Sequence, residues 1–168
     1  MSKKFQIFFL LLLFSAVVFY ISYKTYLWPF FVRDRQLVTL QLKSHLFAPV
    51  KKEVTVEVVK NVESLSRGLS GRPELLSQNG QQIDGLLFIF ASEQQQFFWM
   101  KEMFFDIDIC WLRDRRLHSC HIAVAPEDPN ELSTNLPIYP SPVEVDLVLE
   151  TEPGFFSKQD FGGQFFAK

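Results

Sequence analysis

The stretch FFWMKEMFFDIDICWL, from Phe97 to Leu112, is mostly apolar yet carries Lys101, Glu102, Asp106 and Asp108. Two carboxylates two residues apart could share a proton and act as an acid/base pair. Lys101 would supply a positive charge beside them. A second cationic candidate, Arg72, lies in the polar run NVESLSRGLSGRPELLSQN. HSCH, from His118 to His121, offers imidazole and thiol. In a strand, however, side chains three apart point to opposite faces, and a structural zinc needs four ligands. No metal site and no cofactor are expected, and no residue is assigned a catalytic role.

Alternation places Ile107, Ile109 and Trp111 on one strand face, with Asp106, Asp108 and Cys110 on the other. A break around Glu102–Phe105 marks a bend where two polar faces can converge. The expected ligand-binding set is Arg72, Lys101, Asp106, Asp108 and His121. The competing reading is ordinary solvent-facing side chains on half-buried strands.

His121 enters that set through the hairpin joined by RDRR. A two- or four-residue loop sets Leu112 against Leu117, Cys110 against Ser119 and Asp108 against His121. One face then collects Ile107, Ile109, Trp111, Cys120, Ile122 and Val124. A three-residue loop would bring Cys110 opposite Cys120, within disulfide range. It would also mix the two faces, which a half-buried hairpin resists. The expectation is an Asp108–His121 contact, no disulfide, and Cys120 buried as a small hydrophobe.

The elements that must position these groups are strands. LVTLQLK (37–43) and EVTVEVV (53–59) alternate in period two, with APVKKE between them as a hairpin turn. GLLFIF and QFFWMK read as strands, and so does VEVDLVLE, with Val143, Val145, Leu147 and Leu149 facing in. Residues 61–79 read as one or two helical turns, the second starting at Pro73. The Pro-rich segment 125–142 reads as an irregular loop, serving as a lid or a binding loop or else disordered. Together these predict a mostly β domain, an antiparallel jelly-roll-like sandwich or barrel with a small helical insert.

Ahead of the strands, residues 5–23 carry no charge. As a helix they span roughly 28 Å, near the thickness of a bilayer's hydrocarbon core. The aromatic exit, with Tyr20, Tyr23, Tyr26 and Trp28, fits an interfacial belt better than a cleavage site. The expected division is therefore a tail and transmembrane anchor over 1–23, a juxtamembrane linker over 24–36, and a β-rich domain over 37–168. The short N-terminal tail favours an extracytoplasmic domain. Net charge of −2 leaves no electrostatic footprint for nucleic acid. The expected partners are the bilayer, through residues 5–23, and an unknown ligand or envelope protein.

From Val56 onward the chain resembles the domain of unknown function family 192, also called uncharacterised protein family 0127. The resemblance is carried by VEVVKNVESLSRGLSGRPEL, GLLFIF, FFWMK followed seven residues later by Asp108-Ile109, IYPS, VLETEPG and Gly163. It implies a compact jelly-roll-like β domain and no particular reaction. Arg72, Lys101 and Asp108 match charged positions of the family. Leu65, Ser70, Glu102, Asp106 and Gln164 depart from its pattern. The leading expectation is a membrane-anchored, extracytoplasmic binding or accessory module. The alternative is an envelope hydrolase working through Lys101, Asp106 and Asp108.

Overall fold

The computed structural model describes residues 3–23, 27–127 and 136–168. The uncharged run forms helix α1 (Lys3–Ser22), which buries none of its residues. It is long and apolar enough to cross a membrane. A single turn, α2 (Trp28–Phe31), follows. Lys60 closes it by donating from Nζ to the carbonyls of Pro29 and Val32 at 3.3 and 3.2 Å.

The alternating segments form β1 (Leu37–Lys43) and β2 (Lys52–Val59), an antiparallel hairpin. Residues 60–84 then pass outside the sheet, carrying helix α3 (Val62–Arg67). This crossover is what lets β3 (Gly85–Gln94) pair parallel to β2. A two-residue ribbon follows, β4 (Phe97–Phe98) with β7 (Tyr139–Pro140). The remaining strands are β5 (Ile107–Arg113), β6 (Arg116–Val124), β8 (Val145–Thr151) and β9 (Gln164–Ala167). Seven strands close into a barrel in the order β1-β2-β3-β8-β5-β6-β9, and β9 pairs back onto β1.

The barrel has two apolar cores. The interior holds Leu40, Val56, Leu87, Leu112, Leu149 and Phe165. Trp28 and Val32 belong to this core too, and Trp28 is fully buried. The second core is external, between β3, β8 and β5 and the segments that cover them. It includes Leu69, Phe88, Met100, Ile109, Trp111 and Val148. β8 and β5 are thus buried on both faces.

That double burial corrects the expected hairpin register. The turn is the predicted one, with Leu112 opposite Leu117. One strand position later, Trp111 lies opposite Ser119, so exposed His118 is an extra residue in β6. The bulge moves the pairing by one, and Cys110 meets Cys120 in a disulfide. A slip is costly only where a strand has one buried face. With apolar cover on both sides of β5 the penalty disappears. A second irregularity, between Ile107 and Ile109, puts Ala123 at φ 50°. His121 ends up opposite Ile109, not Asp108. Ile122 is exposed and Cys120 half-buried, so the expected single apolar face does not form.

Two smaller expectations also change. No helix begins at Pro73: the chain there wraps around Arg72, whose guanidinium donates to the Leu76 carbonyl. QFFWMK contributes only the two residues of β4 before Glu102, at φ 57°, turns the chain.

Candidate functional site

The five expected site residues occupy separate places. Arg72 is committed to Glu57, bonding both carboxylate oxygens at 3.0 Å. Arg35 and the Gln78 N–H complete that site at 2.7 Å each. Burial alone would raise the Glu57 carboxyl; these four donors outweigh it and hold it below the ordinary range. Asp108 is fully buried and accepts the N–H groups of Ala123 and Gly154, each at 2.8 Å. It therefore pins the β6 irregularity to the turn after β8, an architectural role. Asp106 is exposed. His121 Nε2 lies 3.4 Å from the Pro140 carbonyl, and its ring packs edge-on against Trp111 and Tyr139. Lys101 holds its Nζ 5.9 Å from the Trp99 ring centroid.

Lys101 leads to the arrangement that the sequence reading missed. Its carbonyl accepts from Ser70 Oγ at 2.8 Å, and the Glu102 carbonyl accepts from Gly71 N–H at 2.9 Å. These bonds fasten the bend after β4 to the loop after α3. Between them opens a cavity of about 280 Å³. Its walls include Phe88, Phe90 and Phe98, with exposed Phe97 and Trp99 at the rim. Glu150 and Gln96 also line it.

Glu150 lies on β8 and is 5% exposed. Its backbone is paired with Leu86 on one side and Ile109 on the other. Oε2 is buried and has no hydrogen-bond partner among the described residues. Burial pushes this carboxyl up to about 8, opposed by the positive charge of Arg72. Gln96 is 9% exposed, and its Nε2 is likewise buried and unpaired. Its backbone is held by Ser141, whose Oγ accepts the Gln96 N–H at 3.0 Å and whose N–H donates to the Gln96 carbonyl at 2.8 Å. This is what the described part of the Pro-rich segment does; residues 128–135 lie outside the described residues.

Gly68 ends α3 at φ 53°. A Cβ there would stand 3.1 Å from Phe88 Cζ and 3.8 Å from Glu150 Oε2. Glycine thus both permits the turn and leaves the approach to Glu150 open. Two buried, unpaired polar atoms in one aromatic cavity can bind a polar group of a small molecule. They do not form a nucleophile with its base.

One sequence signal pointed here. Strict alternation in VEVDLVLE assigns Glu144, Asp146, Val148 and Glu150 to a single outward face. An apolar Val148 on that face means it is covered at that level, so the next outward residue, Glu150, is covered as well.

Residues 46–162 match the family DUF192, described as "Uncharacterized ACR". The chain belongs to this family. No curated protein sequence matches the chain. Among solved structures it is similar to a Sinorhizobium meliloti protein proposed as a transcription regulator. Identity is 19% and the TM-score 0.62, over 81% of this chain and 97% of that one. It is also similar to a protein of unknown function from Novosphingobium aromaticivorans. Here identity is 18% and the TM-score 0.58, over 79% of this chain and 85% of the other. At these identities the two neighbours share the fold with this DUF192 member.

Proposed function

We propose that this DUF192 chain is a membrane-anchored binding module whose domain lies outside the cytoplasm. The observation that carries the binding role is the aromatic cavity lined by Glu150 and Gln96, whose buried Oε2 and Nε2 no group among the described residues satisfies. Buried polar atoms ordinarily find partners, and leaving one without costs roughly 1–3 kcal/mol. A cavity that keeps two is built for a ligand that supplies them.

The location rests on other features. α1 is apolar on all sides and buries nothing in the domain, as an anchor requires. The Cys110–Cys120 disulfide favours an oxidising compartment. A net charge of −2 offers no electrostatic footprint for a polyanion.

The binding role is tested by screening small aromatic compounds against the full chain in lipid nanodiscs, reading tryptophan fluorescence. Ser66 is exposed on the cavity lining. Ser66→Trp should plug the mouth and abolish every hit while leaving the melting temperature unchanged. Hits that survive the plug would place binding elsewhere. For location, protease added to intact spheroplasts should digest the domain; a protected domain would reverse the topology.

A further inference from the structure

We propose that the Glu150 cavity takes a small organic cation, a molecule bearing a protonated amine beside an apolar or aromatic body, with the ammonium group seated on the Glu150 carboxylate. This rests on the binding reading above and specifies its ligand. Three observations carry it. Glu150 Oε2 is buried with no donor among the described residues. The lining includes Phe88, Phe90, Phe97, Phe98 and Trp99. Arg67, the basic residue among those lining the cavity, pairs with Glu63 and leaves the Glu150 carboxyl unneutralised.

β3 and β5 present Phe88, Phe90 and Ile109, none of which titrates. Arg72 acts on Glu150 only through space, because its guanidinium is bonded to Glu57. Arg67, at the rim, pairs with Glu63 at 3.5 Å and is 58% exposed. Lys101 stands by Trp99. Below about pH 8 Glu150 is therefore neutral when the cavity is vacant, and an occupant that brings a positive charge lets it ionise there. Aromatic ring faces attract a cation and disfavour an anion, so an aromatic lining favours a cationic occupant. The unpaired Gln96 Nε2 adds a demand for one acceptor on the same molecule.

Seating the cation moves one proton. The Glu150 O–H bond breaks, the proton leaves to solvent, and the carboxylate accepts hydrogen bonds from the ammonium. Affinity should then rise with pH up to the titration of the free carboxyl near 8. By linkage the gain is about tenfold per pH unit below that point, while an amine resembling that of lysine stays protonated.

The test is calorimetry on the full chain in phosphatidylglycerol nanodiscs. The probes are 2-phenylethylamine, 2-phenylethanol and phenylacetate, which share a body and differ in charge. The amine should bind most tightly and gain about tenfold in affinity from pH 6 to 7. Between two buffers of different ionisation enthalpy it should release close to one proton. Glu150→Gln, which has the shape of the neutral acid, should remove the pH dependence and weaken the amine at least tenfold. Adding phosphatidylethanolamine to the discs separates the sources of the group: competition points to a lipid headgroup, its absence to a free amine. Equal binding of the alcohol, or an affinity flat with pH, would overturn the cation while leaving the cavity as a binding site, provided Ser66→Trp abolishes it. No binding by any probe at millimolar concentration would overturn both.

Discussion

Glu150 makes stability depend on pH in the sense opposite to most carboxylates. Its folded value of about 8 stands above the ordinary 4.5. Between those values the folded chain holds a proton that the unfolded chain has released. Stability therefore falls as pH rises through this window, by up to about 1.4 kcal/mol per unit, and levels off beyond it. Urea midpoints measured from pH 5 to 9 should decline for the native chain. Glu150→Gln should flatten that decline and be the more stable protein at pH 9; an unchanged slope would mean another group is responsible. Asp108 gives a contrasting case. Asp108→Asn turns an amide donor toward one of two backbone N–H groups that need an acceptor. The expected loss is about 2–3 kcal/mol in urea unfolding, with ligand binding by the folded fraction unaltered. The sequence marked Asp108 as special but could not distinguish a binding role from an architectural one. Both demand a carboxylate at that position, and only the groups opposite it decide.

Strands were legible whether one face or both are buried, GLLFIF and VEVDLVLE among them, but the pairing register of a strand buried on both faces was not. β1 and β2 appear where the alternation put them, because alternation records a contrast between core and solvent. β5 has no such contrast: Cys110 and Leu112 enter the barrel interior while Ile109 and Trp111 enter the outer core. Its charged residue, Asp108, is satisfied by backbone that only a β6 bulge brings within reach, and a bulge leaves no mark in hydrophobic periodicity. The ribbon of β4 and β7 was equally hidden, since its two-residue strands are held by Ser141 and ring packing and not by a pattern of their own. The hairpin register can be checked through its disulfide. The bridge closes a loop with sequence separation 10. Replacing both cysteines by alanine should cost about 2–3 kcal/mol in urea unfolding under non-reducing conditions. Intact-mass analysis of the native chain should show two hydrogens fewer than the reduced one; equal masses would refute the pairing.

At the level of the molecule, the barrel does not begin where the strands begin. Trp28 and Val32 precede β1, yet both are part of the interior core. Removing residues 1–26 should leave a folded domain that stays in solution without detergent. Removing residues 1–28 deletes Trp28 and should lower stability by about 3–5 kcal/mol, the range for emptying a buried tryptophan site. Equal melting temperatures for the two truncations would show that Trp28 contributes nothing to the barrel. This boundary was out of reach of the sequence, where Trp28 among tyrosines and phenylalanines has the signature of a lipid interface. The same ring chemistry serves both settings, and burial alone separates them.

Seating Trp28 in the barrel also shortens the leash. Only five residues, 23–27, separate the end of α1 at Ser22 from the start of α2 at Trp28. Even fully extended, the six Cα–Cα steps from Ser22 to Trp28 reach no more than about 22 Å. If α1 is the anchor proposed above, the cavity cannot sweep the surrounding medium as a head on a long stalk would. It patrols a thin layer against the bilayer, so encounters depend on how concentrated a molecule is at the lipid surface more than in bulk solution. Amphiphilic amines, which accumulate in that layer, would be met far more often than their overall abundance suggests.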